Sequence, residues 1–151
     1  MKRLSSYIIC VAALLFGACT HNNGDIGPLF GTWVLDEMTI DDTPADLGHN
    51  NTFMQFQGHI VLTKLIDPRH SMLRYCAGTW TREGDVLALD YTNSDDNNPA
   101  GTGTYAAPEW LLLETNAINR LNILSIDNGH MRLRYIDADG CTVVYNFRKT
   151  H

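Results

Sequence analysis

The residues that could carry catalysis or bind a metal are scattered along the chain. No serine stands in the Gly-x-Ser-x-Gly turn that exposes a nucleophile, and no glycine-rich phosphate loop follows a strand pattern. The histidines lack the His-x-His and His-Glu-x-x-His spacings of zinc sites, and they occur at His21, His49, His59, His70, His130 and His151. The sequence therefore predicts no catalytic residue, no metal site and no cofactor, and we expect no enzyme.

One loop offers oxygen ligands of the kind that calcium prefers. Its carboxylate and amide side chains are Asp90, Asp95, Asp96, Asn97 and Asn98. The glycine-spaced order of an EF-hand loop is missing, so we interpret the loop as solvated.

Cysteine offers a third kind of chemistry. Cys76 and Cys141 are the thiols of the main part of the chain, and no Cys-x-x-Cys redox pair occurs. In an exported protein, a Cys76 to Cys141 disulfide and a pair of buried free cysteines are both open at this stage.

Residues 1–18 have the pattern of an export signal, with Lys2 and Arg3 ahead of an apolar run from Tyr7 to Phe16. The last residues before Cys19 are small, as in the lipobox of bacterial lipoproteins, and the stretch resembles a signal peptidase II site. The resemblance implies cleavage before Cys19 and attachment of palmitate-type acyl chains to this cysteine. We therefore predict a lipoprotein held on a membrane by those chains.

Residues 19–28 form a polar, glycine-containing tether, which can span at most about 35 Å. Asp25 is its one acidic residue, whereas surface-exported lipoproteins of Bacteroidota carry an acidic run there. This favours the periplasmic face of the outer membrane, with exposure at the cell surface left open. Of the 11 Lys and Arg, two lie in the leader, so 9 remain against 17 Asp and Glu, a net charge of −8. Such a surface repels phosphate backbones, which argues against nucleic acid as a partner.

Residues 29–151 are predicted to form one all-β domain. A proline at the first helical position and a following glycine suggest one short helical turn over Thr43 to Gly48. The candidate strands are Leu29 to Ile40, Thr52 to Gln57, His59 to Ile66, Met72 to Thr81, Asp85 to Thr92, Glu109 to Thr115, Arg120 to Ile126, His130 to Ile136 and Cys141 to Arg148.

Turn residues fix the strand register in the last third of the chain. A two-residue turn at Asn128-Gly129 pairs Ile126 with Met131 and Leu124 with Leu133. A three-residue loop with Gly140 left-handed gives the next set of pairs, Tyr135 with Val143, Leu133 with Tyr145 and Met131 with Phe147. Seven side chains then point inward: Met131, Leu133, Tyr135, Cys141, Val143, Tyr145 and Phe147.

The first strand alternates less regularly. Trp33 and Leu35 share a face with Glu37, which predicts a bulge or apolar contact on both faces. We expect Trp33 to cover one end of a barrel and the last strand to close against the first.

These motifs resemble those of the calycins, the group of lipocalins and fatty-acid-binding proteins. Gly31-Thr32-Trp33, a second Gly-Thr-Trp ending at Trp80 and the lipobox are similar to lipocalin-like lipoproteins of Bacteroidota. The resemblance implies an antiparallel up-and-down β-barrel of about eight strands. Fatty-acid-binding proteins have an arginine where Val143 stands, so their carboxylate clamp is not carried over. The arginine that packs on the first-strand tryptophan of lipocalins has no assigned counterpart.

Two functions are compatible with this barrel. In the first it binds a small apolar or amphipathic ligand, and the candidate lining is Trp33, Trp80, Tyr91, Met131, Leu133, Tyr135, Val143, Tyr145 and Phe147. In the second the core is filled by these side chains and the protein acts through its surface on an envelope protein, as an accessory subunit or inhibitor.

Overall fold

A computed structural model of the chain describes residues 27–98 and 101–150. The predicted signal peptide, Cys19 and the tether up to residue 26 lie outside the described residues. None of the helical segments in the described ranges has the length and apolar character that a transmembrane helix requires.

The described residues contain nine antiparallel strands, and eight of them follow one another around a closed barrel. Each strand pairs with the next, apart from β2, which pairs only with the end of β1. The first strand also pairs with the last, which closes the barrel with eight strands and confirms the predicted fold class. The strands are β1 (Gly31–Ile40), β2 (Thr43–Pro44), β3 (Asn51–Gln57), β4 (Ile60–Ile66), β5 (Met72–Glu83), β6 (Val86–Asp90), β7 (Ile118–Ile126), β8 (His130–Ile136) and β9 (Thr142–Thr150).

The predicted bulge in β1 is confirmed. The pairing with β9 shifts between Leu35 and Glu37, so Asp36 is the extra residue. Beyond the bulge the inward face changes from odd to even positions, which places Trp33, Leu35 and Met38 together in the core. The predicted closure of β9 against β1 is also confirmed, with Phe147 opposite Leu35.

The helical turn expected over Thr43 to Gly48 is wrong. Asp41 and Asp42 adopt left-handed backbone conformations with φ of 46° and 64°, and they turn the chain back onto β1. Thr43 then pairs with Ile40, and the amide of Ala45 donates to the carbonyl of Met38 at 2.8 Å. Single turns of 3₁₀ helix occur elsewhere, at Asp95–Asn97 and Glu109–Leu111.

The strand predicted over Glu109 to Thr115 is also wrong. Its first three residues form the second 3₁₀ turn, and Leu112 is left-handed with φ of 57°. The reversal at Leu112 lets Leu111 and Leu113 both point into the barrel. The apolar alternation of this segment therefore reflects burial of two leucines and not a strand.

The register of β8 and β9 agrees with the sequence. Tyr135 pairs with Val143, Leu133 with Tyr145 and Met131 with Phe147, and Gly140 has a φ of 85°. In the preceding hairpin the pair of Ile126 with Met131 is confirmed.

The predicted pair of Leu124 with Leu133 is wrong. A second bulge, between Ile123 and Ser125, puts Ile123 opposite Leu133 and leaves Leu124 exposed.

Candidate ligand-binding interior

One end of the barrel is closed by Trp33. Its side chain is fully buried, and the indole Nε1 donates to the carbonyl of Leu29 at 2.7 Å. Phe56, in the core cluster, and Trp80, which packs against the cluster, meet edge to face with ring centres 5.4 Å apart. The chain before β1 thus crosses this end and is held there by the tryptophan.

Lys149 covers the outer side of the same tryptophan. Its Nζ atom lies 5.0 Å from the centre of the Trp33 ring and donates to the carbonyl of Pro28 at 3.0 Å. A Cβ atom on Gly31 would lie 2.9 Å from Cε of Lys149, so the glycine makes room for the lysine. In lipocalins an arginine packs on the first-strand tryptophan, and here a lysine occupies that position. Only arginines were considered for this contact from the sequence, and Lys149 was therefore missed.

The second Gly-Thr-Trp has a packing role as well. A Cβ atom on Gly78 would lie 2.3 Å from the carbonyl oxygen of Asp90 and 3.0 Å from the ring of Tyr91. Because Gly78 has no side chain, Asp90 and Tyr91, at the end of β6, can pack directly against the backbone of β5.

The nine predicted lining residues all belong to the interior. Eight are buried in the core cluster, and Trp80 is half-buried and packs against it. The side chains fill the barrel almost completely. An empty space of about 160 Å³, too narrow to admit a water molecule, remains between Met54, Leu111, Leu113, Leu121, Tyr145 and Phe147.

The other end of the barrel is covered by an irregular segment, residues 105–116, which we call the plug segment. It belongs to the connection from β6 to β7, at the end opposite Trp33. Its two ends are joined by hydrogen bonds from the Tyr105 amide to Asn116 Oδ1, at 2.6 Å, and from the Asn116 amide to the Tyr105 carbonyl, at 3.2 Å. Between them Ala107, Leu111 and Leu113 are buried. A compact loop with joined ends of this kind is an Ω-loop.

Three side chains of the barrel hold the plug segment. The buried amide of Asn119 accepts from the Glu114 backbone N–H at 2.7 Å and donates to the Glu114 carbonyl at 3.1 Å. Arg74 forms an ion pair with Glu109. The hydroxyl of Tyr145 donates to the carbonyl of Leu111 at 2.5 Å.

The polar groups inside the barrel are neutral. Among the described residues the buried polar side chains, tyrosines and tryptophans aside, are Thr52, Thr63, Asn97 and Asn119. The hydroxyls of Thr63 and Tyr91 are hydrogen-bonded at 2.7 Å. Burial raises the pKa of Tyr91 and that of Tyr145 above their usual range, and burial with the nearby charge of Glu114 raises the pKa of Tyr135 to about 12. The three tyrosines therefore remain protonated hydrogen-bond donors at neutral pH.

Asn97 is a buried member of the loop predicted to be solvated. The side chain of Asn97 binds backbone atoms, donating to the carbonyls of Ala77 and Tyr91 and accepting from the Ala77 amide at 3.2 Å. It thereby fastens this loop to β5 beyond the point where β6 ends. In the described ranges, no three His, Cys, Asp or Glu side chains are grouped closely enough to hold a metal ion.

Cys76 and Cys141 are free thiols in the structure. Cys76 lies buried on β5 and Cys141, only half-buried, precedes β9, with three strands between them in either direction around the barrel. Disulfide geometry requires far closer α-carbons than this. Burial raises the pKa of the Cys76 thiol to about 11.

No protein-family model matches the sequence, and no curated protein matches it. Among solved structures the chain is similar to a lipocalin-like protein from Bacteroides uniformis, with 17% identity and a TM-score of 0.56 over 82% of this chain and 100% of that chain. Bovine odorant-binding protein in complex with a selenium-containing odorant gives 13% identity and a TM-score of 0.44, over 87% and 76% of the two chains. Lobster apocrustacyanin A1 gives 18% identity and a TM-score of 0.41, over 91% of this chain and 68% of that chain.

The fold is therefore that of a lipocalin-like barrel, an assignment that rests on the Bacteroides protein and on the closed strand order. In this barrel one end is closed by Trp33 and the other by the plug segment.

Proposed function

We propose that this protein is a non-enzymatic envelope lipoprotein whose barrel binds a small apolar or amphipathic ligand. The observation that carries the proposal is the different construction of the two ends. Strand termini and Trp33 close one end, whereas the plug segment closes the other without pairing as a strand. Such a segment can move while every strand pair of the barrel stays intact, and mobile loops of this kind commonly control access to a site.

Ligand binding requires that the plug segment move. The gap between the core side chains admits no water molecule, whereas most ligand pockets have a volume of roughly 300–1,000 Å³. Leu111 and Leu113 border this space. Their withdrawal would enlarge it at the end of the barrel that the plug segment covers, which we call the mouth. The ligand would then replace apolar contacts that the two leucines make in the closed form.

The sequence pattern at Cys19 supports attachment to the outer membrane, at its periplasmic face. Leu29, where the tether joins the barrel, lies beside Trp33, at the end of the barrel that this tryptophan closes. An anchor on Cys19 would leave the mouth at the opposite end unobstructed.

A second candidate is a barrel with a filled core that acts through its surface on an envelope protein, as an accessory subunit or inhibitor. The small interior space favours it, and so does an apolar surface at the start of β5. Met72, Leu73 and Tyr75 are 56%, 49% and 42% exposed there, which is unusual for neighbouring large apolar residues.

Binding of an apolar fluorescent probe, N-phenyl-1-naphthylamine, separates the two candidates. A chain beginning at residue 20 keeps every strand of the barrel and removes the acyl chains that would compete. We expect saturable probe binding, and tighter binding by Leu113→Ala, because a smaller side chain opposes the probe less. Leu124→Ala, at an exposed leucine of β7, is the control variant and should bind as the parent chain does.

Organic extraction and native mass spectrometry of the purified protein provide a second readout. A co-purified lipid would support ligand binding. If the parent chain and Leu113→Ala both fail to bind the probe while their circular dichroism is native, and the extract is empty, the ligand-binding proposal is overturned and the surface function is favoured.

A further inference from the structure

We propose that the outer surface of β7, β8 and β9 docks on a membrane surface that carries anionic phospholipid. Four arginines define this surface, which we call the arginine face: Arg120, Arg132, Arg134 and Arg148. The proposal rests on the anchored lipoprotein of the proposed function, because the anchor would hold the barrel beside a bilayer. It concerns the outside of the barrel and is independent of any ligand inside.

The four arginines are neighbours on three adjacent strands. All of them are exposed, on strands whose other face is buried in the barrel. Arg132 and Arg134 are two residues apart on β8. Arg120 lies on β7, two residues before the partner of Arg134, and Arg148 lies on β9, two residues after the partner of Arg132. Neighbours in these positions have α-carbons roughly 7–8 Å apart, so the arginines form one continuous stripe.

Positive charge is concentrated on this side of an acidic chain. The three strands contain five of the nine Lys and Arg that follow the leader, and they contain no Asp or Glu. Among the described residues, Arg120, Arg132 and Arg134 have no ion-pair partner, whereas Arg148 is paired with Asp36 at 3.2 Å. The net charge of the chain therefore conceals a surface that attracts anions.

Acidic residues border the arginine face at its turns. Asp127 follows β7, and Asp137 and Asp139 follow β8. The carboxylates of Asp127 and Asp137 accept hydrogen bonds from backbone N–H groups of their own turns, at 2.6–2.7 Å and 2.8–3.0 Å. These bonds hold the two carboxylates at the ends of the strands, so an anion that approaches the middle of β8 meets the arginines first.

Exposed aliphatic side chains accompany the arginines. Ile118 and Ile136 are 52% and 53% exposed. Ile118 precedes Arg120 by two residues and Ile136 follows Arg134 by two, so both isoleucines lie on the same outer surface. Guanidinium groups bind phosphate oxygens through paired hydrogen bonds, and aliphatic side chains enter the boundary between head groups and acyl chains. A phospholipid surface accommodates both kinds of side chain, whereas free phosphate accommodates only the arginines.

The point at which the tether leaves the barrel favours a membrane over an acidic protein. Lys149 follows Arg148 on β9, and its Nζ atom binds the carbonyl of Pro28 at 3.0 Å. The tether therefore begins beside the arginine face, and residues 19–28 span at most about 35 Å. An anchor at this distance keeps the effective concentration of lipid head groups high. An attraction of about fivefold for each arginine near an anionic surface then orients the barrel.

In this orientation the barrel lies on its side. β9 is four strands from β5 in either direction around the barrel, so the apolar surface at the start of β5 faces away from the membrane. The plug segment covers an end of the barrel and not its side. Docking of the arginine face therefore leaves the mouth unobstructed.

Modification of arginines by phenylglyoxal, located by mass spectrometry, tests the proposal. A chain beginning at residue 20 carries an N-terminal hexahistidine tag and is held on phosphatidylcholine vesicles by a nickel-chelating lipid. The tag replaces the acyl chains, so the result does not depend on modification of Cys19. We expect Arg120, Arg132 and Arg134 to react at least about fivefold more slowly when roughly 30% of the lipid is phosphatidylglycerol. Added salt should remove this protection, because screening shortens the range of the attraction.

Exposed arginines elsewhere on the barrel provide the controls. Arg69 precedes β5 and Arg82 lies near its end, and the reaction of both should change less than about twofold on the anionic vesicles. Two double variants change the net charge equally. Arg132→Gln/Arg134→Gln should abolish the protection of Arg120, whereas Arg69→Gln/Arg82→Gln should leave it unchanged.

Three results would overturn the proposal. The first is equal reaction of the arginine face on neutral and anionic vesicles, and the second is equal protection of Arg69 and Arg82. The third is protection that appears without vesicles and increases with protein concentration, which would assign the face to a second copy of the chain. None of these results bears on the proposed function, whose failure is seen separately in the binding of the apolar probe and in the extract.

Discussion

Lys149 and Trp33 are directly paired residues of β9 and β1, and the ammonium group of the lysine lies 5.0 Å from the centre of the indole ring. The same ammonium binds the carbonyl of Pro28. One side chain thus joins the last strand, the first strand and the chain that leads into the barrel. Cation–π attraction and a charged hydrogen bond both contribute to this contact.

Replacing Lys149 with methionine should lower the free energy of unfolding by about 1–2 kcal/mol, because the aliphatic stem is kept and the charge is lost. Urea unfolding followed by tryptophan fluorescence measures the change. Lys64→Met, on β4 and away from Trp33, is the control and should have an effect below about 0.5 kcal/mol. Equal losses in the two variants would show that the contact with Trp33 contributes nothing specific.

Gly78→Ala should destabilise the barrel by about 2–3 kcal/mol, since the new methyl group would lie 2.3 Å from the carbonyl oxygen of Asp90. Gly129 provides the matched comparison, because a Cβ atom there meets its nearest neighbour at 3.7 Å. Gly129→Ala should change the unfolding free energy by less than about 0.5 kcal/mol. Thermal unfolding of the two variants side by side checks the difference, and a stable Gly78→Ala protein would contradict the packing described for the second Gly-Thr-Trp.

Asn119→Ala should loosen the plug segment without unfolding the barrel. The substitution leaves the Glu114 amide without its acceptor, at a cost of about 1–3 kcal/mol. Hydrogen exchange measured by mass spectrometry should therefore accelerate in residues 105–116 and stay unchanged in β8 and β9. Asn146→Ala, which removes a surface bond to Glu37, should leave exchange in the plug segment unaffected. Uniform acceleration along the whole chain would mean that the segment and the barrel open together.

Asp127 should make stability depend on pH in the acid range. Backbone N–H groups of Gly129 and His130 donate to its Oδ1 atom at 2.6 and 2.7 Å, and these bonds hold the pKa of the carboxyl below its ordinary value of 3.8. A lowered pKa in the folded state means that the stabilisation is present above the ordinary value and is lost as the pH falls through the folded value. The difference in unfolding free energy between the parent chain and Asp127→Asn should therefore shrink between about pH 5 and about pH 2. A difference that stays constant over this range would refute the assignment.

The two thiols should react only slowly in the folded protein. Burial raises the pKa of Cys76 to about 11, and the charge of Asp137 with partial burial raises that of Cys141. At about pH 8 the Cys76 thiol is therefore almost entirely protonated and reacts poorly with iodoacetamide. In a chain beginning at residue 20, mass spectrometry should find Cys76 unlabelled when folded and both cysteines labelled in urea without a reductant. Two cysteines that resist labelling in urea would reveal a disulfide.

The parts of the fold that the sequence predicts are those decided by local chemistry. Gly140 adopts the left-handed conformation that a three-residue loop needs, and this fixes the pairing of β8 with β9. Strict alternation along β1 would place the charged Glu37 on the same face as Trp33, and this likewise indicates the bulge. In both cases a few adjacent residues restrict the backbone enough to determine the register.

The parts that the sequence does not predict depend on distant partners. Thr43 and Pro44 have the pattern of a helix start, but pairing with the end of β1 outweighs that weak preference. The apolar run at Trp110 to Leu113 is as compatible with a buried strand as with the irregular segment that the structure contains. In the fold it packs across the end of the barrel, where Leu111 accepts a hydrogen bond from Tyr145, 34 residues away. Local patterns carry no information about such a contact.

The pairing of β1 with β9 has a kinetic consequence. Thr32 and Thr150 are hydrogen-bonded across a sequence separation of 118 residues, so the seam joins nearly the two ends of the domain. Pairing over such a distance has a large loop-closure entropy, and chains with high contact order fold slowly. Until the seam forms, the sheet has two unpaired edges that invite association with other chains. Closure therefore ends the period in which an unfolded chain is most prone to aggregate.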